Sequence, residues 1–520
     1  MNSLQDQHVL ILGLGASGLA MARWCARGGA QVTVADTRSD PPQREALQRD
    51  VPSARFISGA FDASLVAGTD VRAVFKSPGL TPLEIATVSV AANALGIWIS
   101  GELGLFSQAL ISLKATRDYA PKVLAVSGTN GKTTVTSLAG QLISRAGKTV
   151  AVAGNIGPSL LDTLAARLDA DSLPEVWVIE LSSFQLDGEK TFEPSAAAVL
   201  NITQDHLDWH GSMAAYVDAK ANIFGHQGLM VLNREDPLVM AMLNAAAPPP
   251  MASVGPKRTE PLRVKLQRPV IRPHVTFGGD MPQRPGDFGI EHVNGMVWLV
   301  RALEADETRK KRKSDEEELH IQRLMPADAL RIRGRHNAVN ALAALALSCA
   351  AECALGPMLY GLREYRGEPH RVQPIGILNE VEFFDDSKGT NVGATVAALS
   401  GLGADRKVIA IMGGEGKGQD FSPLAEPVAR YARAVVLIGR DAPQLRAALE
   451  STGVTLLEAE SMPQAVVQAN RLAHAGDAVL MSPACASFDM FDNYEHRAKV
   501  FVEAVSELAS AAGVQLEGAL

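Results

Sequence analysis

Cysteine is scarce. Cys25, Cys349, Cys353 and Cys485 are scattered over 520 positions, and no two form a CxxC pair. Neither a disulfide framework nor a structural zinc site is therefore expected. Cys349 and Cys353 stand four apart in an Ala-rich helical stretch, a spacing that suits core packing. Positive charge is also in deficit. Lys and Arg number 49 against 57 Asp and Glu, for a net charge of −8. Such a chain is poorly suited to neutralising a phosphate backbone, so no nucleic-acid partner is expected, while a local basic pocket for one nucleotide stays open. Long hydrophobic runs are missing too. The most apolar segment, Asn340 to Leu355, is interrupted by Ser348 and Glu352 and is too short to span a bilayer. Met1 to Gln7 has neither a basic n-region nor an apolar h-region, and His8 to Leu12 already reads as a strand. No secretion signal and no membrane partner are expected, which places the chain in the cytoplasm.

What is present reads as an α/β protein. The length exceeds what a single core usually serves, so three domains are the economical expectation. In the first hundred residues, Val9–Leu12, Gln31–Ala35 and Val71–Phe75 read as strands, with a helix from about Ser17 to Arg27. A second block opens at Lys122, with strand Val123–Val126, a helix from about Lys132 to Ala146, and further strands at Val176–Ile179 and Ala197–Ile202. Helical patterning returns over His336–Glu352. A third block starts near Arg371, with strands Val408–Met412, Ala434–Ile438 and Ala478–Met481. The expected domains are 1–100, 101–367 and 368–520: Rossmann-like, a P-loop ATPase-type parallel sheet, and Rossmann-like again. Pro248 to Leu324 breaks the pattern and reads as a surface insertion around 250–324. Its charge block, Arg309–Lys313 against Asp315–Glu318, mixes both signs, which favours a solvated loop over a nucleic-acid patch.

Six segments carry chemistry. Ser127-Gly128-Thr129-Asn130-Gly131-Lys132-Thr133-Thr134 lies between a strand and a helix. Its backbone N–H groups can turn around phosphate oxygens at a helix N-terminus, Lys132 can reach the β- and γ-phosphates, and Thr133 can ligate Mg²⁺. A standard Walker A motif would need glycine where Val126 stands. Gly13-Leu14-Gly15-Ala16-Ser17-Gly18, with Asp36 ending the next strand, matches a dinucleotide fingerprint without saying which nucleotide binds. Glu180 opens Glu180-Leu181-Ser182-Ser183-Phe184-Gln185 at a strand end, where Mg²⁺ needs a hard oxygen. Asp205 and His206 follow another strand and can face the same cleft. Asp385-Asp386-Ser387-Lys388-Gly389-Thr390-Asn391 and Ser482-Pro483-Ala484-Cys485-Ala486-Ser487-Phe488-Asp489 are each ambiguous alone.

In this order the segments resemble the Mur ligase family over essentially the whole chain. GTNGKTT, ELSSFQL, the Asp205-His206 segment and RGRHNAVN (Arg333 to Asn340) carry the family resemblance; DDSKGTN and SPACASFDMF resemble its D-glutamate-adding branch. The resemblance implies an ATP-dependent ligase that activates the carboxylate of UDP-N-acetylmuramoyl-L-alanine as an acyl phosphate and transfers it to D-glutamate through a tetrahedral intermediate. It places the UDP group at Gly15, Ser17, Asp36, Thr37 and Arg38, with Ser77, Pro78 and Gly79 near uracil and Asn155 and His206 at the sugar–peptide end. ATP would meet Gly128 to Thr134, Asn337, Asn340, Arg371 and Asp386. D-Glutamate would meet Lys388, Thr390, Lys417, Ser487 and Tyr494, the last standing where the family commonly has phenylalanine.

The catalytic set implied is Lys132, Glu180, His206, Lys220 and Lys388. Two Mg²⁺ ions would be held by Thr133, Glu180, His206 and a carbamylated Lys220, a residue that by itself reads only as a helix lysine. A monomer is implied. Rival readings are another Mur-type or folylpolyglutamate-type ligase, a dinucleotide-dependent oxidoreductase, and a nucleotide-gated interaction protein.

Overall fold

The computed structural model describes residues 4–245, 272–305, 319–404, 406–514 and 516. Three β-sheets organise the chain. The first contains β1 (His8–Leu12), β2 (Gln31–Asp36), β3 (Arg55–Ser58), β4 (Val71–Lys76) and β5 (Trp98–Ser100), all parallel, in the order β3-β2-β1-β4-β5. The order reverses at β1, so the turn that leaves β1 opens at a crevice between two loops. This is the Gly13–Gly18 turn, followed by helix Ala16–Arg27.

The central sheet has nine strands: β6 (Lys122–Ser127), β7 (Val150–Gly154), β8 (Val176–Glu180), β9 (Ala196–Val199), β10 (Leu229–Asn233), β11 (His274–Phe277), β12 (Phe288–Val293), β13 (Met296–Glu304) and β14 (Leu319–Pro326). Their order is β14-β13-β12-β11-β10-β9-β6-β8-β7. β6, β8 and β9 are buried almost throughout, as the middle of a parallel sheet covered on both faces requires. Alternation then divides the residues between two cores. Val123 and Ala125 join Trp177 and Ile179 in an apolar cluster that continues into the first sheet through helix Glu102–Arg117. Leu124 and Val126 face the other way, toward helices Lys132–Arg145 and Arg335–Ala350.

The third sheet contains β15 (Gln373–Leu378), β16 (Val381–Asp385), β17 (Val408–Gly413), β18 (Ala432–Ile438), β19 (Thr455–Glu458) and β20 (Ala478–Met481). It runs β15-β16-β20-β17-β18-β19, and only the β15–β16 edge pair is antiparallel. β16 and β20 are neighbours with Asp385 opposite Met481, so the segments that follow them emerge side by side.

Two expectations are corrected. The stretch around 250–324 is not simply a surface insertion: its described part supplies β11 to β13 and most of β14, extending the central sheet. Phe277, Phe288, Leu299, Val300 and Met325 are buried there, mostly against the Arg335–Ala350 helix. The proline run Pro248–Pro250 and the charge block Arg309–Glu318 lie outside the described residues. The strand expected over Ala197–Ile202 ends at Val199, and the Ile202 N–H donates instead to Asp236 Oδ2 at 2.7 Å.

The turn after β1 is held by a small polar network. Asp36 Oδ2 accepts from Leu14 N at 2.7 Å, and both Asp36 oxygens accept from the Arg38 guanidinium. Arg38 holds the Asp36 carboxyl down to about 2. Ser77 Oγ donates to Gly13 O at 2.9 Å. A Cβ on Gly18 would lie 2.0 Å from Gly13 O, so the helix can start this close to the strand only with glycine there. Gly18→Ala is expected to cost about 1–3 kcal/mol, the usual range for overpacking, measured by thermal unfolding. Asp36→Asn is expected to destabilise the chain at neutral pH. A depressed folded-state pKa contributes stability present above the unfolded value near 3.8 and lost as pH falls through about 2, so the deficit should shrink over that window in pH-dependent denaturation.

Candidate active site

The turn between β6 and helix Lys132–Arg145 is the loop expected from sequence to bind phosphate. Gly131 has φ +82°, and a Cβ there would meet Asn340 Oδ1 at 2.7 Å, so this position needs both the left-handed backbone and the missing side chain. Asn201 braces the loop, accepting from Asn130 N at 2.8 Å and donating to Asn130 O at 3.0 Å. Thr129 Oγ1 lies 3.0 Å from Tyr216 Oη and accepts from Thr203 N. Lys132 Nζ donates to the carbonyls of Gly128 (2.9 Å) and Thr129 (2.8 Å). Lys220, from helix Met213–Ala221, also donates to Gly128 O at 2.9 Å, and reaches Ser127 Oγ at 3.3 Å. Its ammonium is fully buried over the Tyr216 ring. Burial pushes both lysine pKa values down; the charge of Lys132 lowers that of Lys220 further, and Glu180 and Asp205 oppose the shift in both.

Glu180 ends β8 beside this loop and is 2% exposed. Its Oε1 accepts from Asn155 Nδ2 at 2.7 Å, while its buried Oε2 has no hydrogen-bond partner. An unsatisfied carboxylate oxygen beside a phosphate loop is a fitting ligand for a hard cation. Among the described residues no cluster of three or more His, Cys, Asp or Glu side chains could hold a metal. Glu180 and Thr133 would thus leave most ligand positions to phosphate oxygens and water, which is how Mg²⁺ is commonly bound, so the residues fit that ion. His206 adopts φ +53° at the start of helix Leu207–His210, with Nε2 3.6 Å from Asp205 Oδ2 and its ring edge-on to Phe184. Burial pushes its pKa down, which favours the uncharged imidazole.

The third sheet closes the other side. Arg371 Nη2 donates to Thr133 Oγ1 at 2.9 Å. Asn391 caps helix Val392–Gly403 with Oδ1 and donates from Nδ2 to Asn130 Oδ1 (3.1 Å) and Asp205 Oδ2 (3.4 Å). Asp386 accepts from Ser482 Oγ at 2.6 Å, and burial raises its carboxyl to about 7. A cavity of about 270 Å³ lies between the two sheets, lined by Asn130, Gly131, Thr134, Asn337, Asn340, Arg371 and Asp386. Around the corner a cleft of about 130 Å³ is lined by Asp205, His206, Thr390 and Lys417. Lys388 stands 5.4 Å from the Tyr494 ring centre, and its ammonium is disfavoured first by burial and then by Arg371, against Glu180. Ser487 is buried next to Ala486, which lines the cleft; Lys417 is exposed at its mouth.

The residues expected from sequence to hold ATP and the amino acid are thus largely brought together. Gly15, Ser17, Asp36, Thr37, Arg38, Ser77, Pro78 and Gly79 gather separately, around the loops at the carboxyl edge of the first sheet. There the Asp36 carboxylate is committed to Leu14 and Arg38, while Thr37 and Arg38 are exposed. Pro78 lines a cleft of about 300 Å³ with Lys76, Phe184 and Gln185, between the first and central sheets. Tyr216, Asn201 and Ser482 were not singled out from sequence for the contacts they make. Tyr216 sits in an ordinary helix, and no local pattern marks it.

Comparison with known proteins agrees with this geometry. Residues 7–101 match the family described as "Mur ligase MurD-like, N-terminal domain", residues 126–267 "Mur ligase middle domain", and residues 370–485 "Mur ligase, glutamate ligase domain". The UDP-N-acetylmuramoylalanine--D-glutamate ligase of Albidiferax ferrireducens is 77% identical over 519 residues, covering 100% of both chains. The protein of the same name from Polaromonas sp. is 57% identical, covering 99% of this chain and 100% of its own. Among solved structures, MurF ligase from Thermotoga maritima in complex with ADP aligns with a TM-score of 0.55 at 13% identity, covering 97% of this chain and 96% of that one, a likeness of fold. With matching segments in all three sheets and relatives this similar along the full length, the chain belongs to the Mur ligase family.

Proposed function

We propose that the protein is an ATP-dependent ligase that joins D-glutamate to UDP-N-acetylmuramoyl-L-alanine, acting as a cytoplasmic monomer. The names of the two D-glutamate-adding relatives support the substrates. The observation that carries the chemistry is the buried, unpartnered Glu180 Oε2 beside a phosphate loop whose Lys132 is within electrostatic reach of Glu180, Asp205, Arg371 and Lys388. A dinucleotide oxidoreductase would want the Asp36 carboxylate for a ribose, and that carboxylate is already engaged. No helix among the described residues is long and apolar enough to cross a membrane.

In this reading ATP occupies the cavity between the central and third sheets, with adenine toward Asn337 and Asn340 and its phosphates on the Gly128–Thr134 loop. The UDP end of the other substrate lies at the first sheet, and its carboxylate reaches the loop past Asn155 and His206. That carboxylate attacks the γ-phosphorus of ATP, the bond to the β-γ bridging oxygen breaks, and ADP leaves. Lys132 and Arg371 offset the negative charge gathered on the transferring phosphoryl group. When bound, Mg²⁺ on Glu180 and Thr133 would neutralise phosphate oxygens there.

D-Glutamate enters the Thr390–Lys417 cleft, with Lys388 and Lys417 facing its carboxylates. Its ammonium must lose a proton before the amine can attack. Uncharged His206, held beside Asp205, is placed to accept it. The tetrahedral intermediate then expels phosphate and leaves an amide. Lys220 has the deep burial and depressed amine pKa that let an amine react with CO₂, which supports its assignment as a carbamate that would turn a second cation into an anion for metal.

The test is phosphate release from ATP with UDP-N-acetylmuramoyl-L-alanine across a panel of amino acids. Release with amide product only for D-glutamate is the expected result; release with another amino acid overturns the substrate, and no release with any overturns the ligase reading. Lys132→Ala is expected to lower turnover about a thousandfold or more while leaving the unfolding temperature close to that of the parent, since Lys132 makes only local contacts with its own loop. Unaltered turnover would remove Lys132 from the phosphate site.

A further inference from the structure

A further cavity lies away from the candidate active site. It measures about 640 Å³ and lies at the opposite end of the first sheet from the glycine turn, between the starts of β1, β4 and β5 and the face of helix Glu102–Arg117. That volume is within the range of about 300–1,000 Å³ typical of small-molecule sites. Its floor is apolar and buried: Val9, Trp24, Leu105, Ala109 and Leu113 line it, together with the half-buried Trp98. Its mouth is cationic. Arg27, Arg72 and Arg117 are exposed there, and no carboxylate is among the lining residues. Arg27 is paired outward with Asp169, while Arg72 and Arg117 make no ion pair among the described residues.

The cleft is open to solvent, and its apolar floor gains nothing from water. Its buried lining is apolar and the charged residues at its exposed edge are arginines. We propose that this cavity binds an elongated anionic amphiphile, with its hydrocarbon between Trp24, Trp98 and Leu105 and its acidic head among the arginines. No step of the proposed ligation involves these residues. The same helix begins at Glu102, whose Oε1 accepts from Leu161 N across the junction of the first and central sheets, so an occupant bears on the element that joins them.

The test is isothermal titration of the full chain with myristate below its micelle concentration. One saturable site is expected, weakened at least tenfold by Arg72→Glu combined with Arg117→Glu, and abolished by Ala109→Trp, which fills the floor. The uncharged tetradecanol should bind at least tenfold more weakly than myristate. Phosphate release by each variant reports that it is folded; should Ala109→Trp fail that check, Gln108→Trp at the exposed edge of the cavity takes its place. Absence of saturable uptake, equal affinity in the folded tryptophan variant, or equal binding of tetradecanol would overturn the proposal. So would binding to phosphatidylglycerol vesicles with no uptake of free myristate, which would assign the arginines to a membrane surface.

Discussion

Two lysine side chains, Lys132 half-buried and Lys220 fully buried, converge on the carbonyl oxygen of Gly128, with one carboxylate oxygen, Glu180 Oε2, left without a partner close by. Uncompensated charge away from water costs several kcal/mol per group, and few local contacts could hold this arrangement. The surrounding apolar strands hold it instead. β6, β8 and β9 bury nearly every side chain they carry, so the ends of these strands, and the charged groups on them, cannot drift apart. In the function proposed above, a phosphate with its metal ion would complement such a site, bringing negative charge to the lysines and a cation to Glu180.

The same logic repeats in each sheet. Parallel strands end on one edge, and the loops where strand order reverses leave a crevice. In the first sheet the crevice holds the Gly13–Gly18 turn, in the central sheet the loop after β6, and in the third the segments after β16 and β20. The shared apolar cluster through helix Glu102–Arg117 ties the first sheet to the central one. The third is joined by polar contacts, Arg371 to Thr133 and Asn391 to Asn130 and Asp205. Polar junctions of this kind are easier to part than apolar ones, and the cavity of about 270 Å³ lies at the polar junction.

Much of this was legible in the residues. Strand–turn–helix blocks show as apolar runs punctuated by glycine, and the expected and observed bounds of β1, β6, β8, β17 and β20 differ by a residue or so. The turn between β6 and helix Lys132–Arg145 was legible because it is written in eight consecutive residues. Less visible were β11 to β14, where prolines and charges around the segment masked strands such as Met296–Glu304. Strand pairing across a sheet edge has no local signature, so a stretch that looked like a loop could become sheet. Asp36 carries a second role that its spacing does not announce: the same carboxylate pins the turn through Leu14 N.

By itself the sequence determined the α/β class and the glycine-rich turns after β1 and β6, because these depend on neighbours within a few positions. Tertiary structure decided which residues meet. Lys220 and Gly128 are 92 positions apart, Arg371 and Thr133 238, and Asn391 and Asn130 261. Contacts at such separations follow from strand order and sheet packing. The order of strands is set by the burial of whole faces against one another, a property of the assembled chain that no local pattern records.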